Sequence, residues 1–167
     1  MLVTNLCAFP PLFEDQPISL ATAGTSISTE FEAPVDTTYI FELKFEFAST
    51  AKRVEDNLVG SWPPDYCMVN ARYEKMLEAI PPKQRVGMGH PIPIRIVVRN
   101  AIDRSTVLDD EYVTMCSSGH AEAVKWRPIW RVPLLRGKYI AQVTNLRRQP
   151  DFDDIRATVG LVRGHGK

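Results

Sequence analysis

From residue 39 to residue 47, apolar and charged residues alternate. Tyr39, Phe41, Leu43, Phe45 and Phe47 occupy the odd positions; Glu42, Lys44 and Glu46 occupy even ones. A period of two belongs to a strand, whose successive side chains point to opposite faces. One apolar face and one charged face predict an antiparallel sheet with a buried side and a wet side. The same alternation recurs at Ile27, Thr29 and Phe31, at Ile94, Ile96 and Val98, and at Tyr139, Ala141 and Val143. It closes the chain at Ile155, Ala157, Val159 and Leu161, and residues 111–116 add Val113 and Met115 on one face. Ile18 and Leu20 predict a short strand that stops near Gly24. Residues 27–32 and 39–47 are expected to pair as a hairpin-like unit across the turn at 35–38. Trp126, Trp130 and Val132 fall on one side of a further strand, with Arg127 and Arg131 on the other. Pro128 inside that strand requires an edge position or a bulge.

Between residues 50 and 91 the period changes. Thr50 is a candidate N-cap, Val54 and Leu58 are four apart, and Gly60 stands where a helix-ending glycine belongs, so a short helix is predicted over 51–58. Val69, Tyr73, Met76, Leu77 and Ile80 recur at helical spacing and are closed by Pro81-Pro82. Residues 50–91 therefore read as a helical and loop insertion between strands. About eight short strands with turn signals between them predict an antiparallel two-sheet β-sandwich, immunoglobulin-like or related. Residues 1–17, with Pro10, Pro11 and Pro17, read as an extended arm, residues 18–163 as one domain, and 164–167 as a tail.

Composition fits that picture. The chain has 167 residues, 44% apolar and 24% charged, which suits one soluble domain and excludes a disordered chain. No apolar run approaches the roughly 20 residues of a membrane-crossing helix. The first residues hold neither a basic region nor an apolar core of a signal peptide. The compartment stays open: cytoplasmic as the sequence stands, periplasmic or envelope if an export signal was removed. The net charge is zero but unevenly placed. Residues 1–83 carry 6 Lys/Arg against 12 Asp/Glu, and residues 84–167 carry 14 against 8. Either the second half presents a basic surface to an anionic partner, or acidic strands of one half lie beside basic strands of the other; the second reading is favoured.

Candidate chemistry is sparse. Cys7, Cys67 and Cys116 are widely spaced and form no CxxC, so zinc and redox motifs fail. One disulfide with one free thiol and three buried thiols both fit; buried thiols are favoured. His90, His120 and His165 have no second ligand at metal spacing. Cys116 or Ser118 with His120, and Asp110 or Glu111 upstream, invite a nucleophile reading, but no GxSxG elbow is present. Asp109-Asp110-Glu111 and Asp151-Phe152-Asp153-Asp154 are carboxylate clusters without the EF-hand pattern. Gly87-Met88-Gly89 lacks the third glycine of a dinucleotide site and precedes a strand. No cofactor is implied.

Lys125-Trp126-Arg127-Pro128-Ile129-Trp130-Arg131 is the most suggestive stretch, because Trp and Arg are enriched at binding hot spots. Alternation favours the plainer reading, with both tryptophans in the core and both arginines on the wet face. Trp62, Tyr66 and Arg72 in the insertion are a second candidate surface. Leu134-Leu135-Arg136-Gly137-Lys138-Tyr139 precedes a strand as a tyrosine corner does, where the hydroxyl bonds to upstream backbone; a tyrosine packed in the core fits equally.

Taken in order, Pro17-Ile18-Ser19-Leu20, Gly24, Phe31, Tyr39 with Phe45, Gly60, the strand at 92–98, the 134–139 corner and a last alternating strand resemble a family of small bacterial β-sandwich domains of unknown function. The resemblance covers residues 17–163. It implies the fold and a bacterial source, with members often exported or lipid-anchored, and it transfers no catalytic residue. The chain departs from the family in lacking a signal peptide, and Thr4-Asn5-Leu6 before Cys7 is not a lipobox. The function expected is a non-enzymatic binding domain for another protein, as an envelope accessory or immunity-type protein. Its contacts would come from Trp62, Tyr66, Arg72, Trp126, Arg127, Trp130 and Arg131. The alternatives are a small Cys/Ser-His hydrolase and a calcium- or carbohydrate-binding module.

Overall fold

The computed structural model describes residues 10–61 and 68–164. The described residues form ten strands: β1 (Phe13–Pro17), β2 (Ser26–Ala33), β3 (Thr37–Glu46), β4 (Met68–Asn70), β5 (Ile92–Asn100), β6 (Thr106–Thr114), β7 (Gly119–Ala121), β8 (Val124–Leu134), β9 (Gly137–Asn145) and β10 (Arg156–Arg163). They build two antiparallel five-stranded sheets, ordered β1-β10-β3-β8-β7 and β2-β9-β5-β6-β4. This is the expected β-sandwich. β3 is the middle strand of the first sheet, and its alternation becomes layer geometry. Tyr39, Phe41, Leu43 and Phe45 are buried, while Ile40, Glu42, Lys44 and Glu46 on the other side are half-buried. The inner face meets Ile94, Ile96 and Val98 of β5 and Tyr139, Ala141 and Val143 of β9 in one core. Burying each large apolar side chain there contributes about 1.5–3 kcal/mol.

Several expectations change. β2 and β3 do not pair. β2 lies against β9, and β3 lies between β10 and β8, in opposite sheets. Each has one apolar face for the same core, so the turn between them carries the chain from one layer to the other. Residues 13–17 are strand rather than free arm, paired with β10 through a bulge at which Asp15 takes a φ of 58°. Ile18 and Leu20 are buried without being strand. Val69 does not begin a helix: it pairs with Val113 in β4, because the edge of β6 offers a ladder there. Asn70 then accepts from the Arg72 amide and starts a 3₁₀ turn, Ala71–Tyr73, before a single helical turn, Lys75–Glu78. The helix α1 (Thr50–Glu55) is capped by Ser49 rather than Thr50 and ends at Asp56, short of Leu58.

The Tyr139 hydroxyl donates to the Leu135 carbonyl at 2.8 Å, the corner geometry. Tyr39 repeats it toward the Val35 carbonyl at 3.1 Å, at the start of a strand in the other sheet. The two charge halves meet where Arg156 pairs with Glu46 at 3.3 Å, but the bidentate Arg95–Asp109 pair lies within the second half.

Candidate functional site

β8 carries the feature the insertion depends on. Its register with β3 shifts at Phe41/Glu42, so that Phe41 faces Trp130, Glu42 faces Pro128 and Ile129 is the extra residue. A bulge reverses which side chains point inward. Before it, Lys125 and Arg127 lie opposite Phe45 and Leu43 and point into the molecule; after it, Val132 and Leu134 do. The expected placement of both arginines on the wet face is therefore corrected. Arg127 is fully buried and cannot touch a partner, while Arg131 is exposed.

The buried guanidinium uses every donor it has. Nε donates to the Val59 carbonyl at 3.1 Å. Nη1 donates to the carbonyls of His90 (2.8 Å) and Thr114 (3.2 Å). Nη2 donates to those of Leu58 (2.9 Å) and Val59 (2.7 Å). The cation also stands 5.7 Å from the centre of the Phe45 ring. Burial pulls its pKa down to about 9, against the opposing charge of Asp56, so it stays protonated at neutral pH.

Lys125 reinforces it. Its ammonium donates to Asp56 Oδ2 at 2.6 Å and to the Gly60 carbonyl at 3.0 Å. The Asp56 carboxylate also accepts from the amides of Leu58 and Val59, at 3.0 and 3.2 Å, which is what stops α1 at Asp56. The loop after α1 is then stitched to the loop before β5. Ser61 donates to the Gly87 carbonyl and His90 to the Leu58 carbonyl, both at 2.8 Å, and Gly89 donates to the Met115 carbonyl at 2.6 Å. Gly60 and Gly87 both take a φ of 85°, a conformation glycine adopts without steric cost. Two buried cations thus clasp both ends of the insertion onto the sandwich. α1 buries none of its residues and is tied down by the Arg53 guanidinium, which donates to the Glu122 carbonyl at 2.6 Å. Val54 on α1 and Val86 beyond it are left 67% and 76% exposed.

The other candidate residues are spread apart. Arg72 is exposed beside β6, donating to Asp110 at 3.0 Å and Asn70 at 2.8 Å. Trp126 is half-buried on the outer face of β8, opposite Lys44. Trp130 packs between the layers, stacked on Tyr112 with ring centres 4.4 Å apart. Trp62 and Tyr66 lie outside the described residues, as do Cys7, Cys67 and His165. Among the described residues, Arg72, Trp126, Arg127, Trp130 and Arg131 do not form one surface. What sequence reasoning missed was the clasp; its signals were two cations two residues apart before a strand proline, and the Gly87-Met88-Gly89 run.

The nucleophile candidates lie at and just before β7, where His120 is exposed. Cys116 is disulfide-bonded, against the favoured reading of three free thiols, so it presents no thiolate. The Ser117 and Ser118 hydroxyls bond to the Gly119 and Trp126 carbonyls. His90 Nδ1 stands 3.3 Å from Asp151 Oδ2, both half-exposed. Among the described residues no group of three or more His, Cys, Asp or Glu could hold a metal ion. In the 109–111 cluster, the Arg95 hydrogen bonds hold Asp109 below the usual carboxylate range.

On the outer face of β3, Glu42 is pushed up to about 7, by burial first and by the neighbouring Glu14 second, with Lys44 opposing. Gly160 lies opposite Glu42, and a side chain there would meet Glu14. Lys44 is occupied by Asp15 at 2.6 Å and Glu46 at 3.3 Å.

No curated protein matches the chain. A crystal structure of a protein from the bacterium Sulfurospirillum deleyianum has a similar fold, with a TM-score of 0.66 and 21% identity over 92% of this chain and 98% of that one. A family profile described as Domain of unknown function (DUF5625) matches residues 15–163. The chain belongs to that family of domains.

Proposed function

We propose that the domain is a non-enzymatic binding module whose insertion meets another protein. One observation supports the reading above the rest: Lys125 and Arg127 are buried to fix the backbone at both ends of an insertion whose helix α1 buries none of its residues. Burying a cation costs several kcal/mol unless its donors are satisfied. Here they are satisfied by the carbonyls of 58–60, 90 and 114. The result is a rigid platform for α1 and the loop at 85–90, which leave Val54 and Val86 in solvent. Loops held on a rigid scaffold are where binding residues concentrate. The occupied Cys116, Ser117 and Ser118 weigh against hydrolysis.

The test compares the wild-type chain with Val54→Glu/Val86→Glu as baits in cross-linking capture from the source organism. A protein captured by the wild type and lost with the double variant, at unchanged Tm, is the expected result. Equal capture by both would move the site away from the insertion.

A further inference from the structure

Sheet edges expose unpaired amides and carbonyls, and proteins normally blunt them. Most edges among the described residues are blunted. β4 and β7 are three residues long each. β1 is broken by its bulge and ends in Pro17. The part of β8 beyond β7 contains Pro128 and Pro133. Two stretches stay open, residues 106–111 of β6 beyond β4 and the whole of β2, and β2 is the longer. It runs eight residues, pairs with β9 on one side without a register shift, and holds no proline, glycine or lysine.

Its own charges are all acidic, with Lys138 of β9 standing opposite Glu32. Glu30 and Glu32 are exposed on the same face, and among the described residues neither is in an ion pair. Beside the end of β2 is a pocket of about 250 Å³, lined by Pro11, Leu12, Pro34 and Tyr39 together with Glu32 and Arg163. We propose that β2 is a strand-addition site for an extended basic segment of a partner protein, one apolar side chain of which fills this pocket. Main-chain hydrogen bonds would supply affinity, and the pocket with Glu30 and Glu32 would supply selectivity. A second copy of this chain fits less well, because two β2 strands side by side would line four carboxylates along one seam. β2 borders the opposite side of its sheet from β4, and the inference does not depend on the insertion's role.

The test is backbone-amide NMR on the full chain with two synthetic peptides, each a leucine followed by alternating threonine with either lysine or glutamate. The lysine peptide is expected to shift and protect the amides of 26–33, move Leu12 and Tyr39, and bind about tenfold tighter than the glutamate peptide. Glu30→Lys/Glu32→Lys is expected to invert the preference. In the wild type, raising salt should weaken the lysine peptide, a readout that needs no variant. No saturable shift at millimolar peptide, shifts mapping elsewhere, or an uninverted preference in a folded double variant would overturn the proposal. So would a dimer of the free protein protected along β2.

Discussion

Gly89 and Arg127 compete for one volume: a Cβ on Gly89 would overlap Arg127 Nη2 and the Leu58 carbonyl oxygen. The guanidinium reaches its acceptors only because residue 89 has no side chain. Gly89→Ala is therefore expected to destabilise the fold by about 2 kcal/mol or more, beyond any gain in chain stiffness. Arg127→Met should cost about 3 kcal/mol or more, since it strands several buried carbonyls. Urea denaturation measures both, and a Gly89→Ala protein as stable as wild type would refute this packing.

Phe45 touches the clasp from the core side. It is fully buried, lies under Arg127, and its ring centre is 5.6 Å from that of Phe152. Phe45→Ala is expected to cost about 3–5 kcal/mol by leaving a cavity. A loss under about 1 kcal/mol in the same denaturation assay would contradict this account of the core.

Glu42 predicts a pH dependence with a definite sign. Its pKa rises from 4.5 to about 7 in the folded state, so between those values the folded protein holds a proton that the unfolded chain releases. Its contribution is fully present below 4.5 and is lost as pH rises through 7. The expected loss is on the order of 1–3 kcal/mol, reduced by partial solvent exposure. Melting curves from about pH 4.5 to 8 should show it, and Glu42→Gln should flatten it. Glu14→Gln should move the midpoint down.

Cys116 sets the thiol count. The chain has three cysteines, and a disulfide at Cys116 takes two of them. Thiol titration of the unreduced, denatured protein is expected to find one free thiol. Three would mean that Cys116 is reduced. Reduction of the intact protein should lower its stability by about 2–4 kcal/mol.

How far the sequence was legible depended on whether a strand kept its period. β3, β5, β9 and β10 have the inner faces the period predicts, although β5 and β10 also bury Val97 and Thr158 on the other face. The Tyr139 corner was visible from its leucine–glycine–tyrosine order. β8 misled because one inserted residue, Ile129, exchanges its faces halfway, and only the register with β3 reveals that. β1 has no period; it is a strand because β10 offers an edge. The clasp joins 56–60, 87–90 and 125–127, segments that no local window brings together.

The pairing of β1 with β10 also has a mechanical meaning. Phe13 faces Leu161 and Pro17 faces Thr158, so residues 10 and 164 leave the ladder at the same end. A force pulling those two points apart loads the rungs one after another, as a zipper, rather than all at once in shear. The first to part would be the Leu12 amide from the Leu161 carbonyl, at 2.8 Å in the resting fold. Pulled along that axis, the sandwich should yield by peeling β1 away while β3 and the core behind it still hold.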